Sequence, residues 1–368
     1  MADFISNLYI KSFRGISDLE LRNLSGVNIL TGDNNSGKTS VLEVLMSMTL
    51  PDNTGIWGSL LRKESVRHAF RGMSYYEGIL DLFNAEKEIK QVEFEAEFKE
   101  EFVHFQMNGY EVEEEMTEET YEKNIQMISR IGRKDELSDD IFVTVPKIKL
   151  RAEINGAEAW SGDVYEGGNL RGLAADKSEK NQRNILYISP TRHTEGNFYL
   201  TEVLNNPELY EEMLEVLREY DQDIISINYV KNDRGMGGMY KVLSRSYHKA
   251  LPLNVYGDGM KKAVLLMSAV VKAKNGILLL DEFETAIHTS AMEKTFKWIL
   301  ETCQKLHVQL FLTSHSREAI NKILKCAPDI QNDMTVYTLY RNGKSTSARR
   351  LPARKAIEVQ DDMGLELR

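Results

Sequence analysis

An α/β fold organised around a mostly parallel central sheet is predicted by three stretches of this sequence. Gly32-Asp33-Asn34-Asn35-Ser36-Gly37-Lys38-Thr39 fits the pattern G-x-x-x-x-G-K-[ST] and lies between a strand-like run, Val27 to Leu30, and a helix-like run, Ser40 to Met46. Gly276 to Leu280 and Val308 to Leu312 are near-continuous apolar runs, as strands buried on both faces of a parallel sheet are. The first ends in Asp281-Glu282 and the second in Thr313-Ser314-His315. Both therefore deliver polar groups to the sheet edge where ligands of open α/β sheets collect.

The glycine-bounded stretch reads as a phosphate-binding loop. Gly32 and Gly37 let the backbone turn inward, so that the N–H groups of Asn34, Asn35 and Ser36 form a nest for phosphate oxygens. Lys38 adds a point charge near the β and γ phosphates, and Thr39 is placed to hold Mg²⁺ through its hydroxyl. The helix opening at Ser40 aims its positive N-terminus at the anion.

Ahead of this loop, Phe4 to Gly15 and Ile16 to Arg22 alternate apolar and polar residues and predict two antiparallel strands. Arg14 either reaches the nucleotide from a strand end or stays in solvent. After the first helix, Pro51 to Gly58 reads as a loop and Leu60 to Phe83 as helical. Lys90 to Phe105 alternates Val92, Phe94, Ala96 and Phe98 with glutamates, the pattern of a half-exposed antiparallel strand. The acidic run Glu111 to Glu122 reads as a solvated face or an insertion, and alternation returns at Ile148 to Ile154. These pieces predict a β-rich lobe beside the nucleotide core.

Ser161 to Arg183, rich in glycine and charge, reads as a flexible connection. Ile185 to Ile188 predicts a buried strand delivering the polar loop Ser189 to Arg192. Arg192 either senses the nucleotide or a partner, or belongs to a simple turn. Between Pro207 and Tyr220, Tyr210, Met213, Leu214 and Leu217 fall on one helical face. Ile224 to Val230 and Tyr240 to Leu243 predict a hairpin around Arg234 to Gly238. Gly257, Asp258 and Gly259 precede the apolar helix Ala263 to Ala273 and offer a second anion-receptive helix start. This one is suited to the γ-phosphate held by another copy of the chain.

At the sheet edge, Asp281 is placed to hold Mg²⁺ and Glu282 to polarise the attacking water. His315 is placed to contact the γ-phosphate or hold that water. The chain of 368 residues is 42% hydrophobic, enough for a substantial core. Its formal net charge of −10 argues against a globally basic nucleic-acid coat. Cys303 and Cys326 have no zinc or C-x-x-C spacing, which suits reduced, buried thiols in a cytoplasmic protein. No leader-like start and no membrane-length apolar run is visible.

The order Lys11-Ser12-Phe13-Arg14-Gly15, Gly32 to Thr39, Gly257 to Lys261, Leu279-Leu280-Asp281-Glu282-Phe283-Glu284-Thr285-Ala286-Ile287-His288 and Thr313-Ser314-His315 resembles an ABC-type ATPase head. It is most similar to the branch shared by RecF, SMC proteins and the OLD-like ATPases of bacterial defence systems. The resemblance implies a single P-loop head over 1–368. Residues 1–50 would be the N-terminal strands and Walker A lobe, 51–184 a variable β-rich and helical insertion, and 185–368 the lobe with the signature, Walker B and switch histidine, followed by C-terminal strands; a helical lobe would accompany the antiparallel β lobe.

Further implications come with that resemblance. Lys38, Thr39, Asp281 and Glu282 would be the Walker residues and His315 the switch histidine. Glu284 to His288 would cross a dimer interface, and Gly257 to Lys261 would act in trans. Gly257 stands where the ABC signature usually has serine, as in glycine variants similar to OLD-like heads. The expected cofactors are ATP and Mg²⁺, and the expected assembly is a homodimer or higher homo-oligomer. The expected partner is a separate effector, a nuclease or toxin, because no TOPRIM nuclease and no SMC-length coiled coil fits this sequence. A DNA-repair or DNA-end clamp is the alternative, with Arg341, Lys344, Arg349, Arg350, Arg354 and Lys355 as the basic stretch.

Overall fold

The computed structural model describes residues 4–61, 75–117, 120–121, 142–166, 182–231, 237–287 and 289–362. The element order begins with β1 (Ile5–Phe13), β2 (Ile16–Leu21), β3 (Val27–Gly32), α1 (Lys38–Ser47), α2 (Thr54–Leu60) and α3 (Tyr75–Leu80). Next come β4 (Gln91–Phe98), β5 (Phe102–Thr117), β6 (Phe142–Ile154), β7 (Ala157–Tyr165) and β8 (Ile185–Ile188). A helical stretch and a hairpin follow, with α4 (Leu200–Leu204), α5 (Pro207–Leu217), β9 (Ile224–Lys231), β10 (Gly238–Ser244), β11 (Leu251–Pro252) and α6 (Asp258–Lys272). The chain continues through β12 (Ile277–Leu280), α7 (Thr289–Leu306), β13 (Gln309–Thr313) and α8 (Arg317–Cys326) to β14 (Met334–Asn342), β15 (Ser345–Pro352) and α9 (Ala353–Asp362).

The strands form three sheets. The central one has the order β15-β14-β3-β13-β12-β8. All its neighbours are parallel except β14 and β15. This is the mostly parallel sheet expected from the apolar runs. A six-stranded antiparallel sheet, β2-β1-β4-β5-β6-β7, makes the β lobe, and β11-β10-β9 makes a small third sheet.

Alternation along β12 and β13 sorts the core into two layers, because successive side chains point to opposite faces. Ile277, Leu279 and Phe311 pack with the antiparallel sheet, α1 and Trp57. Leu278, Leu280, Leu310 and Leu312 pack with α5, α6, α7 and α8. The antiparallel sheet is tied to the central one by Gln309, which is fully buried. Its Oε1 accepts from the Ile5 N–H at 2.9 Å, and its Nε2 donates to the carbonyls of Ile5 at 2.9 Å and Ser25 at 3.0 Å.

Several sequence expectations need correction. Pro51 to Gly58 is not a loop throughout, since α2 starts at Thr54 with the Asn53 side chain accepting from the Gly55 N–H. Asn53 is a favoured N-cap residue, and it starts a short helix within that stretch. Of the helix expected over Leu60 to Phe83, only α3 and the last residue of α2, Leu60, are helical; Asp81 to Phe83 form a turn, and 62–74 lie outside the described residues. Lys90 to Phe105 is not one strand but two, β4 and β5, paired antiparallel.

The acidic run is largely strand. Glu111 to Glu115 pair with β6, with Glu111 on Lys90 and Glu114 on Lys147. Ser161 to Tyr165 finish β7 rather than starting a flexible connection, and 167–181 lie outside the described residues. The hairpin β9–β10 is formed as expected, although 232–236 of its turn lie outside them as well. α6 starts at Asp258, so Asp258 to Lys262 belong to the helix rather than preceding it.

Candidate functional site

The phosphate loop joins β3 to α1, and its backbone is shaped by residues that tolerate the left-handed region. Gly32 has φ +135° and a Cβ there would lie 2.2 Å from the Leu339 carbonyl oxygen; Gly37 has φ +98°. Asn35, at φ 62°, is the residue type that enters this region most readily after glycine. Lys38 is buried, and its Nζ donates to the carbonyls of Gly32 and Asp33, both at 2.8 Å. The ammonium is thus folded back over the loop, centred on the nest.

A cleft of about 670 Å³ opens over this loop, within the range of roughly 300–1,000 Å³ typical of ligand sites. Asn34, Asn35, Gly37, Lys38, Thr39 and Ser40 line its floor, and Glu282 and His315 reach it from the ends of β12 and β13. Gly32 and Ser36 shape the loop without lining the cleft.

Behind Thr39 lies Asp281. The Thr39 hydroxyl donates to the Asp281 carboxylate at 3.2 and 3.3 Å, Tyr187 Oη donates to it at 3.0 Å, and Thr313 Oγ1 donates at 2.6 Å. This all-oxygen pair suits a hard cation such as Mg²⁺, which usually takes one or two carboxylates and completes its shell with water and substrate phosphates. Among the described residues no three His, Cys, Asp or Glu side chains converge as a metal site of their own. Glu282 adopts φ 43°, a conformation costing about 1–2 kcal/mol for a residue with a Cβ. Such strain persists where the surroundings over-determine it, and here the Glu282 N–H donates to Thr313 Oγ1 at 2.8 Å.

Arg14 also lines the cleft, but its donors are engaged by protein groups. Nε pairs with Glu43 at 2.9 Å, one terminal nitrogen pairs with Asp81, and the other donates to the Leu60 carbonyl at 2.8 Å. Gly257 and Gly259 lie elsewhere. With Tyr220, Tyr256, Met260, Ala286 and Ile287 they line a separate depression of about 470 Å³, and Asp258 pairs with Lys261 at 2.7 Å. The fold therefore gathers Lys38, Thr39, Asp281, Glu282 and His315 and leaves Gly257 to Gly259 apart from them. His288 lies outside the described residues.

Some residues of the site escaped the sequence reading. Phe83, Asn84 and Glu86 form one wall of the cleft, and Arg341, read as part of a basic stretch, faces it and pairs with Glu86 at 3.1 Å. The pairing of β14 with β3, which sets Leu339 opposite Gly32, brings Arg341 there. Nothing in local sequence signals it. Arg192 belongs to a 3₁₀ turn and pairs with Glu195.

Lys262 is 1% exposed, donates to the Pro190 carbonyl at 3.1 Å, and has its ammonium pulled down to about 8 by burial, against the opposing pull of Glu284, Asp281 and Glu282. Burial also lowers His193, which contacts the same carbonyl at 3.2 Å. A buried lysine on an apolar helix gives a sequence signal only as a polar interruption of the run Met260 to Ala273.

A phosphate loop between strand and helix, a carboxylate pair following the parallel strand β12 and a histidine after β13 on the same edge define an ATPase head of the AAA/ABC P-loop type. Residues 27–321 match the family described as "AAA domain, putative AbiEii toxin, Type IV TA system", and the chain belongs to that family. It is similar to an "ATP/GTP phosphatase" of Helicobacter pylori, 22% identical over 336 residues that cover 86% of each chain. It is also similar to an uncharacterized protein of Methanocaldococcus jannaschii, 29% identical over 112 residues, 30% of this chain and 98% of that one.

Among solved structures it is similar to an SMC head bound to the C-terminal winged-helix domain of ScpA, with TM-score 0.49, 12% identity and coverage of 96% and 99%. RecF of the RecFOR pathway gives TM-score 0.44, 12% identity and coverage of 95% and 98%. Among the described residues no helix is long and apolar enough to cross a membrane.

Proposed function

We propose that this chain is a Mg²⁺-dependent ATPase whose two copies sandwich ATP, so that hydrolysis works as a conformational switch acting on a separate effector. One observation carries the reading: Lys38, Thr39, Glu282 and His315 line one cleft with Asp281 bonded behind Thr39, whereas Gly257 and Gly259 line another depression of the same chain. A second copy supplying Gly257 and Gly259 would complete the charge-stabilising set that phosphoryl transfer needs.

In this reading the loop N–H groups and Lys38 hold the triphosphate, and the N-terminus of α1 adds its dipole. Thr39 and Asp281 would hold Mg²⁺, which supplies charge neutralisation on the phosphate oxygens. Glu282 orients water and takes its proton, and His315 donates toward the γ-phosphate. The description of the family supports a place in a toxin–antitoxin or defence system, and the name of the Helicobacter relative supports nucleotide hydrolysis; a cytoplasmic setting is part of the proposal.

The test is light scattering of Glu282→Gln with and without Mg-ATP. An ATP-dependent doubling of mass supports the sandwich, and an unchanged mass with ATP bound refutes it. A DNA clamp is the second reading, favoured by the solvent-facing Arg349, Arg354 and Lys355 on β15 and α9. Duplex binding that weakens steeply with salt would support it.

A further inference from the structure

The turn after β12 carries another carboxylate, Glu284, two residues beyond Glu282. Its Oε1 accepts from Ser314 Oγ at 2.7 Å and from the His315 N–H at 3.2 Å, and its Oε2 is buried with no hydrogen-bond partner among the described residues. Ser314, fully buried, also accepts from the Ser316 N–H at 2.9 Å. Ser316 in turn caps α8 by accepting from the Ala319 N–H at 3.2 Å. The loop carrying His315 is thereby strung between the turn after β12 and the start of α8.

A buried carboxylate oxygen without a donor is costly unless a charge compensates it. Lys262, buried on α6 with its Nζ on the Pro190 carbonyl, supplies a positive charge in the neighbourhood, and Glu284, ahead of Asp281 and Glu282, opposes the loss of that charge.

We propose that Glu284 is a positioning residue for hydrolysis: it fastens the His315 loop to the turn bearing Glu282, so that the two groups reaching the cleft move as one unit. The bond from the His315 main chain sets the side chain's origin, and the charge on Glu284 makes both hydrogen bonds charge-assisted and short-ranged in their freedom. The inference rests on the reading of His315 as the contact to the γ-phosphate. By the same geometry, Glu284 is anchored within its own chain and is not free to reach across to a second copy.

The experiment is steady-state ATPase kinetics, with unfolding curves alongside, on the full chain carrying His315→Ala, Glu284→Ala, both together, and Ser314→Ala. His315→Ala is expected to lower kcat by about 100-fold, as loss of a placed acid–base group does. Glu284→Ala is expected to lower kcat by about 30-fold with KM within about twofold, since a displaced catalytic group costs up to about 100-fold. The double variant should be no slower than His315→Ala alone. Ser314→Ala, which removes one of the two donors to Glu284 together with the acceptor of the Ser316 N–H, should cost about threefold.

A wild-type kcat in Glu284→Ala, or losses that multiply in the double variant, overturns the inference while leaving the reading of His315 intact. A wild-type kcat in His315→Ala overturns the reading of His315 and the inference with it. Where Glu284→Ala does not fold, the isosteric Glu284→Gln takes its place, and unchanged kcat in both Glu284→Gln and Ser314→Ala overturns the inference.

Discussion

Thr313 joins the two carboxylates at the end of β12: its Oγ1 donates to Asp281 at 2.6 Å and accepts from the Glu282 N–H at 2.8 Å. One hydroxyl on the neighbouring strand thus holds the side chain of the first residue and the main chain of the second. Both Thr313 and Asp281 are nearly fully buried, so deleting the hydroxyl strands the Glu282 N–H and takes from Asp281 the shortest of its side-chain hydrogen bonds. Thr313→Val, similar in shape, is expected to lose about 2–3 kcal/mol of stability. It should also raise the Mg²⁺ concentration needed for half-maximal ATPase. A magnesium titration and a urea unfolding curve check the two effects separately.

Arg14 behaves as a structural cation. Glu43 is 8% exposed and paired with the Arg14 guanidinium. Removing one member of a buried pair costs about 3–5 kcal/mol, so Arg14→Ala is expected to lower the unfolding midpoint strongly. A variant with wild-type stability and weakened ATP binding would return Arg14 to the nucleotide.

Lys262 gives a pH signature. Its ammonium titrates near 8 in the folded chain against 10.5 when exposed, because burial disfavours the charge. The facing groups are Glu284, Asp281 and Glu282, with His193 on the same carbonyl. Below about pH 8 both states are protonated and the penalty is complete. Between 8 and 10.5 the unfolded chain binds the extra proton, so wild-type stability from this group rises with pH by about 3 kcal/mol. The unfolding free energy of Lys262→Met, minus that of the wild type, should fall by that amount over the window in magnesium-free buffer. A flat difference would contradict it.

Lys38→Ala should remove the ammonium from the centre of the loop. ATP affinity is expected to drop by at least about tenfold and hydrolysis to fall to background. Fluorescent-nucleotide titration and phosphate release measure the two.

The parts of the site that were legible in the sequence are those where local chain chemistry fixes position. The glycines at 32 and 37 fix the loop, and the apolar runs of β12 and β13 carry Asp281, Glu282 and His315 to one edge. Arg341 and Glu86 were not legible, because they meet only through strand pairing across most of the chain. Arg14 was ambiguous for the same reason: its partners Glu43, Leu60 and Asp81 come from three later segments. The glutamates of β5 do form a solvated face, with Glu111, Glu113 and Glu115 exposed; that they belong to a strand was not legible, because a charged run carries no sign of the β6 partner it pairs with.

Gln309 has a mechanical consequence. It stands at the first position of β13, bonded to both main-chain groups of Ile5, and Thr313 to His315 stand at the far end of the same short strand. The buried amide thus ties the first strand of the antiparallel lobe to the start of the strand that ends at Thr313, so a single five-residue strand spans the distance from that lobe to the edge carrying the histidine.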